Sequence, residues 1–451
     1  MTLWSGRFED GPAELLWQFT VDHSDRRLLA DDVEGSLAHA AMLADVGILS
    51  GEEADELKTG LSSVLEEARS GEFAWSDGDE DVHSAVERRL FELIGSIAGK
   101  LHTGRSRNDQ ICLDLRLYLR RAADERAAQI GDLVRVLVNL AEEVGDTVVA
   151  SYTHVQQAQA VPLAHHLLAY AWMLLRDHDR FQDAYPRIDT SPLGAGASAG
   201  SRLSLDPANS AEKMGFSSVF ANSMDAVASR DFVAEYAFCC TQTMVTLSRL
   251  AEELVLWATE EYSWATFGDA FTTGSSAMPQ KKNPDIAELV RGKAASVIGD
   301  LTGLMTLQKG LPLTYNRDLQ EDKRAVFHAD DTLALALAAL GGMIESAVFH
   351  PPEPSSMVTA LDLAEILVNR GVAFREAHEA AGGLVAGLVA DGRSLGEATV
   401  DELEAAHPQL GPADLASLSP TASVAARITA GGGSMASVAT QLADLRALLG
   451  D

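Results

Sequence analysis

The stretch FSSVFANSMDAVASRDFVAEYAFCCTQTMVTLSRLAEELVLWATEEYSWATF, residues 216–267, contains neither glycine nor proline. Within it, Leu247, Leu250, Leu254 and Trp257 follow one another at spacings of three and four residues. Apolar residues at this spacing lie on one face of an α-helix. The stretch therefore predicts a long amphipathic helix.

Two further long helices are predicted, one before and one after this stretch. The earlier helix ends before Gly145, and the later one runs from about Pro284, which suits a first helical position, towards Lys309. Proline is absent between Pro12 and Pro162, where strands joined by tight turns would normally use it. No sustained period-two alternation appears, so we predict a mainly α protein. The apolar stripe of the earlier helix consists of Leu133, Leu137, Leu140 and Val144.

Breaks in the pattern predict three domains. Residues 1–103 form an N-terminal helical domain with an acidic turn at 76–81, and residues 104–354 form a central long-helix bundle domain. Residues 355–451, which are interrupted by several prolines and glycines, form a C-terminal helical domain. Helices of about 25 to 30 residues exceed the globular mean and are typical of bundles. Helices this long commonly bury their apolar stripe against copies of themselves, which predicts an oligomer.

The charge of the chain excludes some classes of partner. There are 66 acidic and 35 basic residues, which give a formal net charge of −31, and only eight of the bases are lysine. A polyanion is a poor general binder of nucleic acid or anionic lipid, so neither is expected as a partner. An acidic, lysine-poor surface favours adaptation to concentrated salt, where self-repulsion is screened. Genomic base-composition bias is the alternative explanation.

No feature of the sequence predicts a leader, a membrane span or a metal site. The N-terminus has no apolar stretch behind a basic start, and no run approaches the roughly 18 apolar residues of a span. The three cysteines, Cys112, Cys239 and Cys240, lack metal-ligand spacing and suit buried thiols in a reducing compartment. We therefore expect a soluble, cytoplasmic protein.

Positive charge is concentrated in one part of this acidic chain. Five of the eight lysines lie between Lys281 and Lys323, which suggests a site for an anionic ligand, although a solvated helix face would look the same. The small, polar stretch 272–280 leads into Lys281 and then a helix N-terminus, which favours anions through its free N–H groups. A lysine near Ser275 or Ser276 can lower the pKa of the serine hydroxyl. Acyl transfer would need the same pairing, but the G-x-S-x-G and S-x-x-K motifs are absent here.

Three long motifs resemble one family. The loop Gly274–Asp285, GSSAMPQKKNPD, is similar to the GSSxMPxKxNP element of the fumarase/aspartase superfamily, whose members eliminate fumarate from a succinyl substrate. Its QKKNPD form resembles argininosuccinate lyases, a family related to delta-crystallins. Lys100–Gln110, KLHTGRSRNDQ, and Leu311–Lys323, LPLTYNRDLQEDK, resemble two further motifs of that family. Weaker similarities extend the resemblance over nearly the whole chain.

The resemblance implies a function and an assembly. The expected reaction is the reversible β-elimination of argininosuccinate to arginine and fumarate, the last step of arginine biosynthesis, with neither metal nor organic cofactor. The expected fold is a three-domain lyase whose central bundle assembles into a tetrameric helical core. Each of four sites would then draw segments from three subunits of a homotetramer.

The resemblance also assigns residues to roles. Ser275 is the candidate base, while Lys281 and Asn283 bind the carboxylate and stabilise charge on the dianionic intermediate. His154, with Glu288 as its orienting partner, can deliver a proton to the leaving nitrogen. Whether Ser275 or His154 is the base stays open. The remaining predicted substrate-binding residues are Ser106, Arg107, Asn108, Thr153, Tyr315, Gln320 and Lys323.

The sequence departs from the family pattern in two places. The segment after Thr153-His154 lacks a usual proline, and the segment 19–24 is one residue short, which leaves open whether Ser24 replaces the usual substrate-contacting serine. Adenylosuccinate lyase and fumarase are the nearest alternatives, and TGRSRNDQ and the double lysine argue against both. A non-catalytic protein on this fold, as in lens crystallins, is the alternative from another class. The presence of Ser275, His154 and Lys281 argues against it.

Overall fold

The computed structural model describes residues 13–450, and helices dominate them, as predicted. Five helices exceed twenty residues, and the others are shorter. The α-helices are α1 (Glu14–Thr20), α2 (Leu29–Asp45), α3 (Gly51–Ser70), α4 (Val82–Ile94), α5 (Arg107–Glu143), α6 (Leu163–Ile188), α7 (Pro207–Lys213), α8 (Ser223–Ala228), α9 (Asp231–Trp257), α10 (Asp285–Gln308), α11 (Asp322–Glu345), α12 (Ala360–Asn369), α13 (Phe374–Ala390), α14 (Val400–Ala406), α15 (Pro412–Leu415), α16 (Pro420–Ala425) and α17 (Met435–Leu449).

The three predicted long helices are confirmed. Helix α9 carries the first stripe, and its four members are at most 4% exposed. Helix α5 ends at Glu143, just before the predicted stop at Gly145. Helix α10 begins at Asp285, one residue after the predicted first position. The apolar spacing therefore predicted the buried face correctly, because an amphipathic helix packs only its apolar face against the core.

Short two-stranded sheets, which the sequence did not predict, accompany the helices. In the antiparallel hairpin β1–β2, the neighbouring residues Val149 and Ala150 are both buried, and the register shifts between Ala150 and Tyr152. This irregularity removes the alternation by which a strand is recognised in a sequence. The strands are β1 (Val148–Thr153), β2 (Gln156–Pro162), β3 (Thr190–Ser191), β4 (Ser218–Val219), β5 (Ala265–Thr266), β6 (Thr273–Gly274), β7 (Lys282–Asn283) and β8 (Val348–Phe349). They pair as β1–β2, β3–β4, β5–β8 and β6–β7.

The described chain divides into two compact units, each assembled from separate stretches of sequence. The first unit contains the residues through Ala127, Arg180–Thr241 and Ala295–Thr332. The second contains Ala128–Asp179, Gln242–Ala294 and the residues from Leu333 on. One apolar core of the first unit lies between Leu29 and Leu101, and one core of the second lies between Leu363 and Leu418. The three-domain division of the sequence stays a prediction.

One helical segment has a composition that a membrane span could share. Arg317–Glu345 is long and apolar enough by this measure, but 56% of its most apolar window is buried. A core helix of a soluble protein has the same character, so this segment is weak evidence for a span.

Candidate functional site

A cavity of about 180 Å³ in the first unit collects five of the predicted substrate-binding residues. Arg107 and Asn108 begin helix α5, Tyr315 and Gln320 come from the segment before α11, and Lys323 lies in the first turn of α11. They come from two motifs that are about 200 residues apart in the sequence. The fold therefore converts two separate motifs into one cavity wall.

A network around Asp109 fixes the start of α5. One oxygen of the buried Asp109 carboxylate accepts a hydrogen bond from the Ser106 backbone N–H (2.8 Å). The other oxygen accepts from the backbone N–H groups of Gly194 (3.1 Å) and Gly196 (2.8 Å). The hydroxyl of Ser106 accepts from the Asn108 backbone N–H (3.2 Å). Ser106 therefore caps this helix start, and it does not line the cavity.

Acidic side chains share the cavity with these basic and polar residues. Arg107 Nη1 lies 3.1 Å from a carboxylate oxygen of Glu80 and 3.1 Å from one of Asp81. Arg317, which also lines the cavity, lies 3.5 Å from Glu80. Two further acids, Asp22 and Asp25, complete the lining on this side. The cavity thus presents both charge signs, which suits a ligand that carries both.

A buried ion-pair chain holds Lys323 in place. Its Nζ lies 2.9 Å from Asp322 Oδ1, and Asp322 Oδ2 accepts from Arg230 Nε at 2.5 Å. All three side chains are at most 4% exposed. Burial alone would raise the pKa of Asp322, but the two cations outweigh burial and lower this pKa. One anion between two cations leaves a net positive charge at the cavity wall.

The loop with the Ser-Ser pair lies in the second unit, between β6 and β7. The Ser275 hydroxyl oxygen accepts hydrogen bonds from the backbone N–H groups of Ala277 (3.3 Å) and Met278 (3.1 Å). Lys282 pairs with Asp269. Across residues 13–450, Lys281 has no such acidic partner and is exposed. The loop therefore carries both an exposed ammonium group and a half-buried hydroxyl.

Thr153 and His154 lie at the end of the hairpin β1–β2, in the second unit. Thr153 pairs with Gln156, so His154 and Val155 alone make the turn. Both have left-handed backbone conformations, with φ of 54° and 57°. This conformation costs roughly 1–2 kcal/mol for each residue other than glycine, and such strain is concentrated at functional sites. His154 is exposed at the tip of this strained turn.

The structure of one chain does not join the Ser275 loop to His154. In the described part of the chain, no hydrogen bond or ion pair links His154 to Ser275, Lys281 or Glu288. Glu288, on α10, lies instead 3.9 Å from Arg291. The pairing of His154 with Glu288 therefore stays a prediction. Asn283, in β7, lies next to the same loop.

Ser24 lies close in sequence to two residues of the cavity but is not part of its lining. Ser24 lies in a short 3₁₀ helix, His23–Leu28, and its backbone N–H donates to Asp22 (2.9 Å). Its hydroxyl is buried without a hydrogen-bond partner among residues 13–450, and Ser24 does not line the cavity. Its neighbours Asp22 and Asp25 do line the cavity.

Sequence reasoning missed the acidic residues of the cavity and His83. Glu80 and Asp81 lie in the predicted acidic turn 76–81, and His83 follows this turn. A histidine two residues after a stretch with four acids in five positions was the available signal. Nothing in the sequence showed that this turn faces Arg107.

Known proteins match the chain along most of its length. A lyase family model matches residues 6–299, and a model of the argininosuccinate lyase C-terminal region matches residues 357–425. An argininosuccinate lyase of Cutibacterium acnes is 48% identical, over 99% of this chain and 97% of the relative. One from Geobacillus thermodenitrificans is 43% identical, over 99% of both chains.

Solved structures show the same fold. An EDDS lyase in complex with formate has a TM-score of 0.83 at 30% identity, and the match covers 96% of this chain and 88% of the other. A class II fumarase from Schistosoma mansoni, at 15% identity, shares the fold with a TM-score of 0.74 over 89% and 91% of the two chains. The fold, the cavity and the three motifs thus define a lyase of the fumarase/aspartase superfamily. The chain belongs to the argininosuccinate lyase family.

Proposed function

We propose that the chain is an argininosuccinate lyase, which cleaves argininosuccinate reversibly to arginine and fumarate in the last step of arginine biosynthesis. The full-length similarity to argininosuccinate lyases carries the proposal. The mixed charge of the cavity supports it, since argininosuccinate has carboxylates together with an ammonium and a guanidinium group. Arg107 and Lys323 suit the carboxylates, whereas the acids in the same cavity lining suit the cationic groups.

The reaction needs stabilised negative charge above all. A proton must leave the carbon beside a carboxylate, which gives a dianionic aci-carboxylate before the guanidinium nitrogen departs. Lys281 and Asn283 are proposed to bind this dianion, because cationic and amide donors stabilise the charge that develops there. Ser275 and His154 are proposed to move the two protons, with Glu288 orienting the histidine. Ser106, Asn108, Thr153, Tyr315 and Gln320 are proposed as further substrate contacts.

Turnover of argininosuccinate tests the proposal directly. The purified protein is incubated with argininosuccinate, and fumarate is followed by its ultraviolet absorbance over a range of salt concentrations. We expect fumarate to appear, with arginine in equal amount. Absence of fumarate at every salt concentration would refute the proposal, while turnover of adenylosuccinate alone would favour the nearest alternative.

We also propose that the chain forms a homotetramer. Helices α9, α10 and α11 expose large apolar side chains at Phe238, Leu289, Ile298, Met305 and Leu335. A methyl group added at Gly292, Gly299 or Gly303, all on α10, would meet nothing within 4 Å. Apolar and small residues exposed along long helices suit close packing against other helices. Such an assembly would let the Ser275 loop and His154 of different subunits meet.

Sedimentation in a salt series tests the tetramer together with salt adaptation. One chain has a mass of 48.0 kDa, and we expect a species of four times this mass in concentrated salt. With a net charge of −31, mutual repulsion of the subunits should dissociate the tetramer in dilute buffer. A stable tetramer in dilute buffer would contradict the salt adaptation and leave the tetramer standing. A cytoplasmic location, without membrane or nucleic-acid partners, is part of the same proposal.

A further inference from the structure

A buried cluster stands directly behind the cavity wall. His83, in the first turn of α4, lines the cavity, and its Nδ1 lies 2.9 Å from Asp32 Oδ1 and 3.6 Å from Asp114 Oδ2. The three residues are 7%, 1% and 1% exposed, respectively. Gln110 Nε2 donates to the same Asp32 oxygen at 3.0 Å. None of these four residues was assigned a role from the sequence.

Within residues 13–450, three of the four carboxyl oxygens of the cluster lack a hydrogen-bond donor. Both oxygens of Asp114 and the Oδ2 of Asp32 are buried without a partner within the described range 13–450. Two neighbouring carboxylates cannot both remain charged without donors in a buried site. Burial, followed by the charge of Asp32, raises the pKa of Asp114 well above its usual range. A proton on one oxygen of Asp114 that is directed at Asp32 Oδ2 would satisfy one unpartnered oxygen of each group.

The charges that face His83 come from every element packed around it. Burial alone would lower the pKa of His83, but Asp32, together with Asp81 and Asp25, raises this pKa above its usual value. Burial alone would raise the pKa of Asp32, but His83, together with Arg105 and Gln110, lowers the pKa of that carboxyl. The pair is therefore an imidazolium against a carboxylate. The acidic residues that act on His83 or line a cavity with it are Asp22, Asp25, Asp32, Glu80, Asp81, Glu87 and Asp114, and the basic ones are His102, Arg105, Arg107, Arg317 and Lys323.

We propose that His83 is a cationic residue of the cavity wall that binds a substrate carboxylate, and that Asp32 and Asp114 are positioning residues which act through it. Asp32 supplies the anion that keeps His83 charged, and Asp114 supplies a neutral hydrogen-bond donor that keeps Asp32 in place. The inference rests on the proposed function for the identity of the substrate. It adds a cation to Arg107, Arg317 and Lys323 in the cavity lining.

Two asparagine substitutions in this cluster distinguish the role of Asp32 from the role of Asp114. Asp114→Asn replaces a neutral donor by a neutral donor, so KM for argininosuccinate should stay within about twofold of wild type from pH 6 to 8.5. Adding Asp32→Asn removes the anion, which lowers the pKa of His83, so the charge is lost as the pH rises. In this double variant KM should rise at least about tenfold over that range, while kcat changes much less. His83→Gln should show a raised KM at every pH. A raised KM for Asp114→Asn alone, or a flat KM for the double variant, would overturn the proposal.

The charge of His83 can also be measured without substrate, so that this test does not depend on turnover. In protein with ¹³C-labelled histidine, the signal that His83→Gln removes identifies His83, and we expect its imidazolium shift to persist at pH 8. A neutral shift at pH 7 would overturn the proposal even if argininosuccinate is turned over. A charged His83 in a protein without lyase activity would instead refute only the proposed function and the substrate. A divalent metal in the purified protein that Asp114→Asn removes would also overturn the proposal, because Asp114 would then be a ligand.

Discussion

Ser275→Ala should lower kcat for argininosuccinate by about 10³-fold, within the range for loss of a proton-transfer group, and change KM little. The structure gives a reason to expect this from Ser275 in particular. Its hydroxyl oxygen accepts two backbone N–H groups, from Ala277 and Met278. Donors aimed at this oxygen stabilise its alkoxide, as does the exposed, unpaired ammonium of Lys281 nearby in the loop.

Ser276→Ala is the matched control for this prediction. Ser276 is the adjacent, more exposed serine, and within the described residues its hydroxyl accepts no such backbone pair. Its variant should keep kcat within about threefold of wild type, as expected for a surface change away from the chemistry. Equal losses in the two variants would show that the loop, and not the Ser275 hydroxyl, matters. Retained activity in Ser275→Ala would remove Ser275 from the chemistry.

Deuterium exchange can assign the two proton transfers. If Ser275 is the base, Ser275→Ala should also stop exchange of the carbon-bound proton of argininosuccinate with deuterated solvent. If His154 is the base, this exchange should continue in Ser275→Ala while arginine release stops, and His154→Asn should abolish it. Both assignments use the same two side chains, so loss of activity alone does not tell them apart. Exchange reports the first proton transfer separately from the release of arginine.

The helices could be predicted from sequence because their burial repeats locally. Leu247, Leu250 and Leu254 bury one face of α9 at helical spacing, and each is readable without knowing what covers it. The hairpin β1–β2 could not be read in this way. Its register shift after Ala150 breaks the alternation, and its turn uses His154 and Val155 where glycine or asparagine would signal a turn.

The candidate site was predictable as residues but not as geometry. Motif resemblance selected Arg107, Asn108 and Lys323, and the fold brings them into one cavity. It gave no reason to join the acidic run at Glu80 to Arg107, since that contact depends on how α4 and α5 begin. It was also silent on His83, whose relevance comes from two buried carboxyl groups that are distant in the sequence. Long-range contacts of this kind leave no local pattern.

Mixing two inactive variants should restore activity if each site is shared between subunits. One chain carries His154→Asn and the other Ser275→Ala, and each alone is expected to be inactive. The structure of one chain supports sites that are shared between subunits, because no hydrogen bond or ion pair joins His154 to the Ser275 loop in residues 13–450. If the two residues of one site come from different subunits, then after random exchange of an equal mixture each of these two residues is the wild-type one with probability one half. About a quarter of the sites, and about a quarter of wild-type activity, should then return.

The exchange conditions follow from the charge of the chain. Subunits should exchange in dilute buffer, where repulsion between chains of net charge −31 is least screened, and reassemble in concentrated salt. Differently tagged subunits that co-purify would establish that mixed tetramers have formed. Activity near a quarter of wild type in these tetramers would place His154 and Ser275 on different subunits. Mixed tetramers as inactive as their parents would place both residues of a site on one subunit, and the strained turn at His154 and Val155 would then have to reach the loop of its own chain.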